Sequence, residues 1–451
     1  MFWLQHAKRR LSRALRDALR SKGGAVIILW ALAAVPIVVG VGAAVDLSRA
    51  YMARSRLAFA LDAAGLAAGA AGETETQMQA IAEQYFAANY PNDLPGTPSK
   101  PDLSVDGGVI RVSGTVTLEP TLLKLIGQKD FTVAASAEVL RKGLEVALVL
   151  DNTGSMKGSK LSALRQASQD LIDILFEVPE LTSNLRVGIV PYSASVNLGD
   201  AALGIVSGVD PSEYDPSDDE KWNGCVSARS YPDDVRDDPG GGGHEWFQYL
   251  WASASDNNWP VANMDPALCN NSTGPNLGCP TPITPLTNDK TVLDTAVDAM
   301  EAWCRGGTFS NVGMVWGWRV LSPEAPYTDA LPYDTPGYDK VAILMTDGVN
   351  GYFQQDYAAY GRLAEGNLGT TSKSQAKTEL NNRLSEVCTN MKAAGIIIYT
   401  IVFKLNNETT KTIYKNCATD LGKYFESDNN GALEKAFRDI AEELINLRVS
   451  K

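Results

Sequence analysis

Short apolar runs punctuate the carboxyl-terminal two thirds of the chain: LEVALVL (144–150), LRVGIVPY (185–192), VAILM (341–345) and IIIYTIVF (396–403). Runs of this length with no polar alternation predict strands buried on both faces, as in a parallel sheet covered by helices. The segments between them carry apolar residues at helical spacing. In KLSALRQASQDLIDILF these are Leu161, Leu164, Ala167, Leu171, Ile172 and Leu175, one stripe of an amphipathic helix. Strand and helix in alternation predict an α/β fold with a doubly wound, mostly parallel sheet over residues 143–451. Residues 205–290 interrupt the alternation with text rich in Asp, Pro, Gly and Asn and three cysteines. That is too long for a connection between sheet elements and predicts an insertion. Its aromatic stretch EWFQYLWASASDNNW is expected to form a miniature core of its own. Its acidic residues (Asp218, Asp219, Glu220, Asp233, Asp234, Asp237, Asp238) lack EF-hand spacing and are expected on a solvated surface.

Upstream the pattern differs. Residues 25–45, AVIILWALAAVPIVVGVGAAV, run without a charge, which matches the length needed to cross a bilayer, and Pro36 is tolerable there. Alanine-rich text with Leu57, Leu61 and Leu66 then predicts helix to about residue 90, with Gly72 or Pro91 ending its segments. VIRVSGTVTL and FTVAASAEVL read as exposed strands. The expected organisation is a basic head (1–22), a transmembrane helix (23–45), a helical stalk (46–90), a small α+β module (91–142) and a main domain (143–451) with its insertion (205–290).

Charge fixes the direction. Residues 1–22 hold seven basic side chains against Asp17, a local +6, so the net −13 of the 451-residue chain leaves about −19 on the remainder. The acidic body excludes a nucleic-acid partner. The basic head predicts a single-pass anchor in the bacterial inner membrane, amino terminus in the cytoplasm, main domain periplasmic or on the cell surface. The alternative is a signal peptide cleaved near Val41-Gly42-Ala43. All six cysteines follow the span, as in an exported disulfide-bonded protein. Fifteen pairings are possible; the expected set is Cys388–Cys417, Cys269–Cys279 and, as the remainder, Cys225–Cys304.

The chemistry lies at strand ends. LEVALVL stops in Asp151-Asn152-Thr153-Gly154-Ser155, a carboxylate and two hydroxyls at alternate positions. Gly306-Gly307-Thr308 opens a later helix, and Thr346-Asp347-Gly348 ends the strand VAILM. Open α/β sheets bind ligands at the carboxyl ends of their strands, and an all-oxygen set suits a hard cation. The order and neighbourhoods resemble the metal-ion-dependent adhesion site (MIDAS) of von Willebrand factor A (vWA) domains, D-x-S-x-S, with Thr153 in place of the first serine. That resemblance implies Asp151, Thr153, Ser155, Thr308 and Asp347 as ligands of Mg²⁺ (Mn²⁺ and Ca²⁺ being alternatives), and a protein partner whose acidic residue completes the metal. It implies adhesion or assembly, not catalysis, the alternative being a structural anchor with a non-functional site. Asp-x-Thr-Gly also resembles the aspartyl-phosphate loop of haloacid-dehalogenase-type phosphatases, but the second acidic residue expected soon after Thr346-Asp347-Gly348 is replaced by Val349-Asn350-Gly351. A serine hydrolase fails for want of G-x-S-x-G.

The text GAAVDLSRAYMARSRLAFALDAAGLAA, behind a basic head and one span, is similar to the amino-terminal region of TadE/TadG-like proteins of the tight-adherence (Flp) pilus machinery. This implies pilus or secretion components as partners. Leu29 stands where a type IV pilin would carry Glu, so the chain does not read as a pilin subunit.

Overall fold

The computed structural model describes residues 22–71, 74–91, 94–106, 109–121, 123–140, 143–178, 184–218, 221–251, 275–353 and 356–449. The basic head therefore lies outside the described residues. The chain divides into two units, residues 1–140 and 141–451.

In the first unit, helix α1 (Lys22–Ala71) is continuous through Pro36. Helix α2 (Glu75–Asn89) opens on a capping box, Thr74 accepting from Gln77 N while the Gln77 side chain accepts from Thr74 N, which satisfies two otherwise orphaned donors. Strands β1 (Thr97–Pro98), β2 (Asp102–Asp106), β3 (Val109–Leu118) and β4 (Phe131–Leu140) form an antiparallel sheet in which β3 pairs with the other three. Ala53, Leu57, Ala60, Leu61, Ala64 and Ala68 recur every three or four residues and are fully buried in one core with Ile110, Val112 and Val116. The small side chains of this stripe bring the helix close. A Cβ on Gly65 would meet the Val139 side chain at 2.9 Å. The boundary expected at residue 90 is thus corrected: 46–90 is no free stalk, because its apolar stripe and the sheet's inner face bury each other. One helix among the described residues is long and apolar enough to cross a membrane, its qualifying stretch being Leu32–Ala70. Its second half is committed to the protein core, so the apolar part left outside that core precedes Asp46.

The second unit is built on strands β5 (Gly143–Asp151), β6 (Leu185–Tyr192), β7 (Thr284–Thr287), β8 (Tyr338–Thr346), β9 (Ile397–Phe403) and β10 (Tyr424–Ser427), in the order β10-β9-β8-β5-β6-β7. All neighbours are parallel except β6 and β7. The antiparallel edge strand β7 lies within 205–290, so the inserted text ends earlier than expected and its last residues belong to the sheet. Alternate residues of each strand serve opposite faces. Val146, Leu148 and Leu150 of β5 pack with helices α3 (Ser159–Phe176), α4 (Lys290–Asp298) and α8 (Asn430–Val449). Ala147 and Val149 face α5 (Ser310–Leu321), α6 (Lys373–Ala393) and α7 (Glu408–Cys417). Helix α5 is buried along its whole length, and Gly317 lets it approach the sheet, where a Cβ would meet Val149 at 2.4 Å.

The insertion departs from expectation in three ways. Trp222, Trp246, Tyr249 and Trp251 do not make a separate core but join the one beneath α5, with Trp246 and Trp316 ring centroids 5.6 Å apart. Aromatic rings carry too much apolar area to be satisfied within a short loop, and the helix face offers it. The acidic residues are not uniformly solvated. Asp234 is buried, pairs with Arg383 and accepts from the Tyr360 hydroxyl at 2.7 Å; Asp237 accepts from Tyr333 at 2.5 Å and Ser322 at 2.7 Å. Cysteine pairing is also corrected. Cys388–Cys417 is present, but Cys225 bonds Cys279, because the Cys225–Val226 strand is brought to the Gly278 turn. That excludes Cys269–Cys279 and Cys225–Cys304; Cys304 is itself disulfide-bonded, and Cys269 lies outside the described residues.

Candidate functional site

Strands β5 and β8 are adjacent and parallel, with Leu150 opposite Met345, so their last residues emerge on one edge. Asp151 is fully buried there and its two carboxylate oxygens are divided. Oδ1 accepts from Thr153 N at 2.8 Å and Thr153 Oγ1 at 2.6 Å; Oδ2 accepts from Thr346 Oγ1 at 2.6 Å. Thr153 Oγ1 lies 3.0 Å from Ser155 Oγ, which donates to Asp347 Oδ1 at 2.5 Å. Four of the five residues singled out in the sequence thereby lie in one contiguous cluster, each hydroxyl giving its proton to one carboxylate and the two hydroxyl oxygens touching. Burial and the nearby Asp347 charge push the Asp151 carboxyl up to about 6, against the three donors that hold it down.

Thr308 arrives by a separate route. Gly307-Thr308 pairs antiparallel with Gly351-Tyr352, and a Cβ on Gly307 (φ 131°) would meet the Gly351 carbonyl oxygen at 2.1 Å. Only glycine fits that approach. The result sets Thr308 Oγ1 3.2 Å from where a Cβ on Gly348 would stand, beside the Asp347 turn. Thr308 also lines a cavity of about 300 Å³ together with Thr153, Ser155, Trp303, Arg305 and Phe353.

Three contributors escaped the sequence reading. Thr346 was visible only as part of the Thr-Asp-Gly turn, yet it holds the second oxygen of Asp151 and accepts from Gly348 N at 3.1 Å. Lys160, in the first turn of α3, pairs with Asp347 Oδ2; its position nine residues after Asp151 was the available signal. Asn152 donates to the Glu301 carbonyl at 3.1 Å, and the Trp303 N–H donates to the Asn152 carbonyl at 2.7 Å. These bonds tie the loop to the segment that leads to Thr308.

With the geometry in place, the comparisons can be set against it. Residues 23–71 match the family described as putative Flp pilus-assembly TadE/G-like. This stretch is a TadE/G-like segment. It coincides with α1, and the second unit lies beyond the match. No curated protein matches the chain. Solved structures similar to it include pilus proteins and the proximal thread matrix protein 1 of the mussel byssus. The vWF domain of the type V pili tip protein Mfa5 from Porphyromonas gingivalis is 12% identical with a TM-score of 0.38, over 69% of this chain and 98% of that one. The pilus adhesin SpaC from Lactobacillus rhamnosus GG is 12% identical with a TM-score of 0.36, over 79% and 34%. The pilus adhesin RrgA from Streptococcus pneumoniae is 12% identical with a TM-score of 0.32, over 75% and 48%. The chain spans about a third of SpaC and about half of RrgA.

Proposed function

We propose that the protein is a membrane-anchored, extracytoplasmic component of a TadG-like pilus or adhesion system, in which a vWA-type second unit binds protein partners through a divalent cation. The observation that carries this reading is the linkage of Asp151 and Asp347, from different strands, through the hydroxyls of Thr153 and Ser155. Two carboxylates against one lysine leave the cluster short of positive charge. The donor set is all oxygen, which fits Mg²⁺ and its preference for one or two carboxylates with hydroxyl and water completing the shell. Thr153, Ser155, Thr308 and Asp347 would hold the ion, with Asp151, its oxygens taken up by Thr153 and Thr346, ligating it or orienting it through water, and the ion would supply an electrophilic point for a partner's carboxylate. Thr346 and Asn152 orient the loop, while the cavity wall of Trp303 and Phe353 limits what approaches.

Binding is favoured over phosphoryl transfer by Asp151 itself. A nucleophilic carboxylate needs an oxygen open to the incoming phosphorus, and here the group is fully buried with both oxygens occupied. The TadE/G-like segment supports envelope attachment, and the +6 head supports a cytoplasmic amino terminus. A second reading, a structural anchor whose site holds no metal, has one observation in its favour: Lys160 already neutralises Asp347.

One experiment decides between them. The melting temperature of the detergent-solubilised full chain is measured in chelator and in Mg²⁺ or Mn²⁺. A native-state ligand at a hundred times its Kd stabilises by about 2.7 kcal/mol. Identical melting in both conditions would leave the structural anchor as the surviving reading.

A further inference from the structure

Asp46 is the first charged residue after the apolar run of α1, yet it is 1% exposed. Both its oxygens are spent on one loop: Oδ1 accepts from Thr121 N at 2.8 Å and Oδ2 from Leu123 N at 3.0 Å. These N–H groups stand at the head of the short helical turn Leu123–Ile126, so the carboxylate caps it. Arg49, one turn further along α1, lies 3.6 Å from Asp46 and donates to the Glu119 carbonyl at 3.2 Å and to Thr121 Oγ1. Glu119, Thr121 and Leu123 are therefore pinned to the helix at one height.

That height is informative. Asp46 follows Val45 by one residue, about 1.5 Å along a helix. The head-group layer beyond the hydrocarbon is roughly 5–8 Å thick on each side. The turn at 123–126 is thus held at the level of the lipid head groups, not out in water. The surroundings agree. Leu47 is 71% and Tyr51 75% exposed on the other side of the same helix; Tyr51 lies about 9 Å beyond Val45 by helical rise, at the outer edge of that layer. An exposed tyrosine and leucine there match the aromatic belt of membrane proteins. Lys124, 68% exposed in the turn itself, is paired with Glu119 at 3.5 Å, so the turn presents a zwitterionic pair with no net charge to the head groups.

From this juxtaposition we infer that the first unit carries a second, peripheral membrane contact: the turn at 123–126, latched by Asp46, rests in the head-group layer beside the exit of α1 and fixes the unit upright on the lipid surface. The inference rests on the reading of residues 25–45 as a membrane span.

The test places an environment-sensitive dye on a single introduced cysteine, Lys124→Cys, in the full chain reconstituted in vesicles of phosphatidylcholine and phosphatidylglycerol. Asp106→Cys, at the far end of the sheet near the Ile110 that faces Gly69, is the control. The expected result is blue-shifted emission at 124 that is lost to a spin label on the lipid head group or upper acyl chain, with neither effect at 106. Asp46→Asn in the Lys124→Cys background should return the dye toward aqueous emission while the protein stays in the vesicle. Equal, water-like emission at 124 and 106 overturns the inference. So does a dye at 124 that is shielded but unquenched by lipid, the result expected if another protein covers this face. Release of the chain from vesicles by alkaline carbonate would instead refute the membrane span on which the inference rests.

Discussion

Strand β5 carries two fully buried carboxylates, Glu145 near its start and Asp151 at its end, and the molecule treats them in opposite ways. Glu145 is enclosed by cations: Lys340 pairs with Oε2, Arg186 with Oε1 at 2.7 Å, and Leu331 N donates at 3.0 Å. Two positive charges face one negative charge. Asp151 has hydroxyl and amide donors only, and its nearest formal charge is another carboxylate. A buried anion ordinarily acquires a cation in the fold itself. The lower end of the sheet obeys that rule, and the upper end departs from it. The comparison teaches where to look for function: where the fold leaves buried charge uncompensated, a mobile cation has a place.

The largest expected effect comes from the saturated end. Glu145→Ala strands Lys340 and Arg186 in a low-dielectric site and should lower stability by about 3–5 kcal/mol, read by chemical denaturation. The stabilisation by Mg²⁺ should survive in that variant; its disappearance would break the comparison. Asp151→Ala should do the reverse. It is expected to abolish the whole metal-dependent stabilisation, about 2.7 kcal/mol at a hundredfold excess over Kd, with a folded domain by circular dichroism. Removing Lys160 tests the sharper point that a resident ammonium competes for Asp347. Lys160→Met should tighten Mg²⁺ binding roughly fivefold, on the order of 1 kcal/mol at the dielectric of a partly exposed site, measured by calorimetry. A weaker affinity would mean that Lys160 supports the site. The smallest effect is expected for Thr153→Ser, which keeps the oxygen on both Asp151 and Ser155 and should change metal affinity by less than about 0.5 kcal/mol.

Much of this was readable from the linear text, and the reasons are physical. The runs at 144–150, 185–192, 341–345 and 396–403 became core strands because an unbroken β-branched and aliphatic run has no exposed solution. Asp151, Thr153, Ser155 and Asp347 were visible because each follows such a run directly. Thr308 was harder, since its position depends on the antiparallel pairing of Gly307 with Tyr352, a long-range contact without local periodicity. Lys160 and Thr346 were missed for a related reason: a lysine in a first helical turn and a threonine at a strand end look like ordinary surface and β-propensity choices. The insertion misled most. Asp234 reads as solvated text because its neighbours are acidic, yet Arg383 and Tyr360 reach it from elements 126 residues or more away. Cys225 found Cys279, 54 residues on, and not the more distant Cys304 expected for it, through the same folding-back.

Beneath the loop of Thr153 and Ser155 lies sulfur. A Cβ on Gly154 would meet Cys304 Sγ at 2.6 Å, and that sulfur is disulfide-bonded. The floor of the site is therefore a redox-dependent object, formed in an oxidising compartment and opened by thiols. On the proposed reading, two unrelated reagents would converge on one phenotype: a chelator would empty the cluster from above, and a reductant would loosen it from below without touching any oxygen of the cluster.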